Sequence, residues 1–265
     1  MVQNFLNGGA AINVFARQLG ATVTVVDVGV DATLVGQPNL RRAKIAFGTQ
    51  NLADGPAMSE DQALLALNVG ADVATELVAE GARCLVAGDM GIGNTTPSAA
   101  IISAFTGRSA TAVTGRGTGI DDAMVAHKTE IVHYAVRRIK PLAGPLEILA
   151  EVGGLEIAAL AGFMIGGAAA RVPVLIDGVI SLAAACVVAA FSRVAVGYLI
   201  AGHRSTEPGA TVALEHLGLR PLIDLHLRLG EGTGACLALP LVEAAARILS
   251  EMATFDSAGV VNKDG

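Results

Sequence analysis

The chain has 265 residues, 52% of them hydrophobic and 16% charged. That share of apolar side chain excludes disorder, and a chain of this length buries roughly 70 to 75% of its unfolded surface. With 18 basic against 24 acidic residues and a net charge of −6, it lacks the cationic face that nucleic-acid binding requires, so no nucleic-acid partner is expected. An anionic ligand must be held locally, by backbone amides and a few cations.

In chain order, the apolar spacing predicts a helix over 4–19 and a strand over 22–28. The polar stretch 36–59 reads as a long functional loop. A helix follows over 60–80, opened by Ser59 with Gln62 three residues later, a capping-box pattern. A strand over 83–87 leads to a helix over 97–105, where Thr96-Pro97 places a cap residue before a first-turn proline. Helices over 122–138 and 155–169, a strand over 173–176, a helix over 178–190, a strand over 194–199, and helices over 208–217 and 237–255 complete the pattern. Near-continuous apolar strands alternating with helices point to a doubly wound α/β fold with a mostly parallel sheet and ligand at the strands' carboxyl ends.

The most apolar stretch, 157–191, is interrupted by Arg171 and Asp177 into pieces shorter than the roughly 18 residues a membrane span needs, so no membrane partner is expected. Val-Gln-Asn after Met1 does not resemble a secretory signal. Cys84, Cys186 and Cys236 are odd in number and set in apolar runs, the usage of reduced core cysteine in a cytoplasmic protein.

Three glycine-rich segments are candidate sites. Gly88-Asp89-Met90-Gly91-Ile92-Gly93-Asn94-Thr95-Thr96-Pro97 leaves a strand and enters a helix; glycines allow close backbone approach, and first-turn amides and hydroxyls offer donors to an anion. It is not the dinucleotide fingerprint, because Thr96 stands at the third glycine, which weakens a dehydrogenase reading. A plain connecting turn has the same local signature. Thr114-Gly115-Arg116-Gly117-Thr118-Gly119-Ile120-Asp121-Asp122 again precedes a helix, and its two acids read as helix N-terminal acids. Lys128, two turns further on the same face, is either a point charge for a phosphate or a solvated surface lysine. Glu231, within Arg228-Leu229-Gly230-Glu231-Gly232-Thr233-Gly234, is either a general base in an apolar setting or an exposed loop carboxylate. His127, Glu130 and His133 share one helix but miss the i, i+4 histidine spacing of a zinc helix, so no metal site is expected.

Taken together, these segments resemble the nicotinate-nucleotide:dimethylbenzimidazole phosphoribosyltransferase family, which makes the lower-ligand nucleotide of cobalamin. The likeness also runs through Phe5-Leu6-Asn7-Gly8-Gly9-Ala10-Ala11-Ile12-Asn13, Val26-Asp27-Val28-Gly29-Val30-Asp31, Gly55-Pro56-Ala57-Met58 and Ala170-Arg171-Val172-Pro173-Val174-Leu175-Ile176-Asp177-Gly178.

The resemblance implies a Rossmann-like phosphoribosyl-binding domain over 1–235, with helix 4–19 contributing to a small helical domain completed by 236–265. It further implies a homodimer and transfer of phosphoribose from nicotinate mononucleotide to a benzimidazole-type base. Glu231 matches the catalytic base. Gly91, Gly93, Asn94 and Thr95 match the phosphoribosyl loop, with Thr96 beside them. Gly117, Lys128 and Ser205 match phosphate contacts, with Gly115 in the same loop. Leu229, next to Gly230, matches a residue beside the benzimidazole, and Asp177 closes the matched strand segment as a further substrate-side residue. Asp89 stands where other members more often carry Glu, which predicts a shorter ribose contact or one made through water. No cofactor or metal is expected, because the leaving pyridinium already carries its positive charge and departs neutral.

Family members usually carry an N-terminal extension that contributes to the base-binding side of the pocket. The sequence as given starts after it, so the expectation is a complete phosphoribosyl half that binds the mononucleotide, with slow turnover; the alternative function is a mononucleotide-binding protein with little or no turnover.

Overall fold

The computed structural model describes residues 1–117 and 119–260. The chain opens with α1 (Val2–Leu6) and α2 (Ala11–Leu19), followed by a parallel pair, β1 (Val25–Asp27) and β2 (Leu40–Arg42). After α3 (Glu60–Ala79) come β3 (Leu85–Ala87), α4 (Thr95–Thr106), α5 (Ala110–Val113), α6 (Asp122–Arg138), α7 (Pro145–Val152) and α8 (Leu155–Ala169). Then follow β4 (Val174–Ile176), α9 (Val179–Phe191), a short 3-10 turn (Ala195–Tyr198), β5 (Leu199–Ala201), α10 (Pro208–Leu217) and α11 (Thr233–Glu251).

The central sheet has the order β3-β4-β5, all parallel, with Leu85 beside Val174 and Val174 beside Leu199. Because strand side chains alternate, its two faces meet different helices. Leu85, Ala87, Val174, Ile176, Leu199 and Ala201 enter the main core, which includes residues of α3, α4, α8 and α9. Val86, Leu175 and Ile200 point the other way, onto Ala235 and Ala238 of α11. The expected α/β architecture, a parallel sheet with helices on both faces, is therefore present.

The largest helix contact is α3 on α8. Glycine permits it: a Cβ on Gly70 would overlap the carbonyl of Ala159, and one on Gly162 would overlap that of Leu67. Both axes thus approach at backbone distance, where dispersion contacts accumulate. By length and composition α3 and α11 would each suffice to cross a bilayer, but α3 turns its apolar face, Ala63, Ala66, Leu67, Val73 and Ala74, into the core. The chain's two ends meet where Ala10 and Ile12 pack on Cys236, flanked by Phe5 and Phe15.

Several expectations need correction. The helix expected over 4–19 is broken at Asn7-Gly8-Gly9-Ala10, with Gly8 in the left-handed region at φ 74°. The strand expected over 194–199 is mostly the 3-10 turn, and pairing starts at Leu199. α4 starts at Thr95 with Asn94 as its N-cap, so Thr96 is not the cap; Pro97 falls at the third helical position, where its missing N–H would have had no helical acceptor. α11 begins at Thr233, four residues before the expected 237. β2, α5 and α7 have no counterpart among the expected elements. The Ser59–Gln62 box is present, Gln62 N–H donating to Ser59 Oγ at 3.1 Å and Ser59 N–H to Gln62 Oε1 at 3.0 Å. Asp121 caps α6 by accepting the Met124 N–H at 2.9 Å.

Candidate active site

The loops leaving β3, β4 and β5 converge with the segment before α11. The first, residues 88–94, begins where a Cβ on Gly88 would lie 2.7 Å from the Glu231 carbonyl oxygen. That contact seats the first glycine loop directly on the Glu231 loop. A Cβ at Gly91 would meet Asn94 Nδ2 at 2.6 Å, and Gly93 sits at φ 82°. As N-cap, Asn94 does not use its side chain on its own helix; its amide donates to Asp89 Oδ2 at 2.9 Å. The first-turn amides after it, at Thr95 and Thr96, lack intrahelical acceptors by helix geometry alone, although Thr96 N–H reaches Gly93 O at 3.2 Å.

Opposite Thr95 lies the second glycine loop. Lys128 on α6 is 7% exposed, so it is not a surface lysine. Its Nζ donates to Thr95 Oγ1 at 2.8 Å and to Gly115 O at 3.2 Å. Burial lowers its pKa, and the negative charge of Glu207 opposes that shift. A Cβ on Gly117 would lie 3.0 Å from Thr95 Oγ1 and 3.8 Å from Lys128 Nζ, so loop, hydroxyl and ammonium close on one small volume. Ser205, buried in the turn after β5, accepts the Glu207 N–H at 3.4 Å. Both loops and Lys128 are legible in the sequence, and the fold brings them into contact around one cluster of backbone amides, a hydroxyl and an ammonium. Thr118 lies outside the described residues.

Glu231 sits at φ 63° between Gly230 at φ 83° and Gly232 at φ 84°. A left-handed glutamate costs about 1 kcal/mol or more and persists only where its surroundings hold it. Two contacts do so. Ile12 N–H, in the first turn of α2, donates to Glu231 Oε2 at 3.1 Å. Beneath the loop, Asp177 accepts Gly232 N–H at 3.3 Å and Ala235 N–H at 2.9 Å, and its Oδ1 lies 3.2 Å from His203 Nε2. Asp177 is only 1% exposed; with its oxygens so engaged, it positions the start of α11 and the Glu231 loop. Leu229 is well exposed beside them.

Asp89 is half-buried by surface area, yet its carboxyl is ringed by protein. Burial pushes its pKa up to about 7; the Asn94 hydrogen bond opposes this, and the charges of Glu156 and Asp177 reinforce it. Glu156, in the first turn of α8, is likewise raised by burial, with hydrogen bonding to its own backbone and to the Asn94 side chain opposing the shift. Sequence reasoning missed Glu156, Glu207, His203 and the Ile12 amide. Among the described residues no group of three or more His, Cys, Asp or Glu side chains forms a metal site.

An α/β protein whose glycine loops close on a buried lysine beside an anchored carboxylate fits a phosphoribosyltransferase, and the family model DBI_PRT, described as "Phosphoribosyltransferase", matches residues 1–260. The nicotinate-nucleotide–dimethylbenzimidazole phosphoribosyltransferase of Salinispora tropica is 56% identical, the alignment covering 99% of this chain and 76% of that protein. Its namesake in Chloroflexus aggregans is 52% identical, covering 99% and 75%. The crystal structure of CobT from Thermus thermophilus superposes with a TM-score of 0.96 at 50% identity, covering 99% of this chain and 78% of that one. The chain belongs to the nicotinate-nucleotide–dimethylbenzimidazole phosphoribosyltransferase family.

Proposed function

We propose that this chain transfers phosphoribose from nicotinate mononucleotide to 5,6-dimethylbenzimidazole, giving α-ribazole 5′-phosphate and nicotinate, with Glu231 as general base. The observation that carries this reading is the Gly88–Glu231 contact, which sets an anchored carboxylate against the loop that leads to the anion cradle. The phosphate takes the cradle of Thr95, Gly115, Gly117, Lys128 and Ser205, and the ribose lies toward Asp89 and Asn94. One benzimidazole nitrogen attacks the anomeric carbon as the bond to the pyridinium nitrogen breaks, its electron pair returning to the pyridine ring. Glu231 takes the proton from the other benzimidazole nitrogen, so positive charge does not build on the incoming ring. Attack opposite the leaving group inverts the anomeric centre from β to α.

A cytoplasmic homodimer belongs to the same reading. Exposed Leu241, Ile248 and Leu249 on α11 support a partner surface, which light scattering on the purified protein tests. For the reaction, the protein is incubated with nicotinate mononucleotide and dimethylbenzimidazole, and nicotinate and α-ribazole phosphate are followed by chromatography. Base-dependent release of nicotinate is expected; none at saturating base would overturn the assignment.

A further inference from the structure

We propose that Glu207 is a built-in stand-in for the substrate phosphate: its carboxylate holds the Gly117 amide at the mouth of the anion cradle in the free enzyme, and a phosphate must displace it to bind. This rests on the reading of the cradle as the phosphate site, and it makes Glu207 a residue that sets selectivity for phosphorylated ligands.

Glu207 is the N-cap residue of α10, but its side chain makes no capping bond to that helix. It reaches instead to the second glycine loop, accepting the Gly117 N–H on Oε1 at 2.8 Å across 90 positions of sequence. Its other oxygen lies over Gly115, where a Cβ would overlap Oε2 and crowd Pro208 Cδ at 2.6 Å. The loop is thus shaped around this carboxylate. Below it, Lys128 Nζ is bound to two neutral acceptors, Thr95 Oγ1 and Gly115 O, and makes no ion pair among the described residues. A buried ammonium without a counter-ion is costly, and the Glu207 carboxylate on the same loop, without forming an ion pair, supplies the compensating charge.

The Gly117 amide that Glu207 holds is one of the donors a phosphate oxygen would take, together with the Thr95 hydroxyl and the Lys128 ammonium beside it. Carboxylate and phosphate cannot share that amide, since both are anions. A phosphate ester replaces the charge it removes, so Lys128 stays compensated when Glu207 swings away. An unphosphorylated riboside brings no such charge, and Glu207 then keeps its place. Discrimination therefore comes from a repulsive element as well as an attractive one.

The test is direct binding of inorganic phosphate, followed by calorimetry, to wild type, Glu207→Gln and Glu207→Ala. Glutamine keeps the size of the side chain and a carbonyl acceptor for Gly117, so it should fold normally and hold the loop. It should nevertheless bind phosphate about tenfold tighter, the scale of one like charge removed at partly screened range. Alanine should also bind tighter than wild type. If Glu207 only props the loop, Gln would match wild type and Ala would bind more weakly, and either result overturns the proposal. Adding Lys128→Met to Glu207→Gln should abolish the gain; a gain that survives would place the phosphate elsewhere and also overturns it. Nicotinate release by wild type is measured separately. Turnover without tighter phosphate binding in Glu207→Gln sinks this proposal alone, whereas tighter binding without turnover leaves the stand-in intact and sinks the substrate assignment.

Discussion

Glu231 Oε2 accepts the backbone N–H of Ile12 at 3.1 Å, joining two residues 219 positions apart. The first turn of α2 thereby fixes the carboxylate that precedes α11, and the Ile12–Cys236 packing beneath it ties the same two helices together. A carboxylate held by an amide near the positive end of a helix is oriented before substrate arrives, which suits the base role proposed for it.

Glu231→Gln preserves an oxygen for the Ile12 amide and the shape of the side chain, so fold and mononucleotide binding should persist. Turnover should fall by about 10²- to 10⁴-fold, the usual effect of losing a general base. Single-turnover nicotinate release measures it; a rate within about threefold of wild type would remove Glu231 from the chemistry.

Gly91→Val places a branched side chain where a single Cβ already meets Asn94 Nδ2 at 2.6 Å. Asn94 must move, breaking its bond to Asp89 and disturbing the first turn of α4. Affinity for nicotinate mononucleotide should drop by about tenfold or more, and that for free nicotinate much less, because only the former uses the helix start. Equal losses in a titration of both ligands would put the phosphoribosyl group elsewhere.

What the sequence disclosed follows from what leaves a local mark. Glycines that admit a neighbouring backbone, the acids at the start of α6 and the Ser59 box are visible because their function is local to a few residues. Glu231 is visible for the same reason, being set between glycines. β2 is not, since Leu40-Arg41-Arg42 buries only its leucine and Arg41 pairs with Glu76 on α3. α7 carries readable signals, Pro145 at its first turn and Glu147 at the third position, but it is short and lies in a stretch without strand neighbours. Glu156 and Glu207 look like ordinary glutamates at helix starts; only the tertiary fold sets one beside Asn94 and the other on Gly117.

Asp89 gives a pH signature. Its folded pKa of about 7 exceeds the ordinary 3.8, so between those values the folded chain holds a proton that the unfolded chain has lost. Stability from this group therefore falls as pH rises from about 4 to about 7, and is flat above. Asp89→Asn should remove that component, gaining on wild type progressively across the window in urea-midpoint measurements. Parallel curves for the two proteins between pH values of about 4 and 7 would show that the carboxyl is not held protonated by the fold.

Asp177 offers a way to disturb the base without touching it. Its carboxylate takes the amides of Gly232 and Ala235 and faces His203 Nε2, all in a site it keeps almost closed to water. Asp177→Ala would leave those donors buried and unpaired. Losing hydrogen bonds to a buried charge should cost about 2 to 4 kcal/mol of stability. For a chain of this size each kcal/mol lowers Tm by about 2 to 4 °C, so a drop of roughly 4 to 16 °C is expected by calorimetry. The amides also hold Gly232, next to the strained Glu231, so kcat should fall even below the new Tm, where the chain remains folded. Nicotinate mononucleotide binding should change little, because among the described residues no hydrogen bond or ion pair joins Asp177 to Thr95 or Lys128. Asp177→Asn, which keeps one acceptor oxygen, should fall between the two. A variant that loses stability yet keeps wild-type kcat would mean that Asp177 supports α11 alone and does not position Glu231.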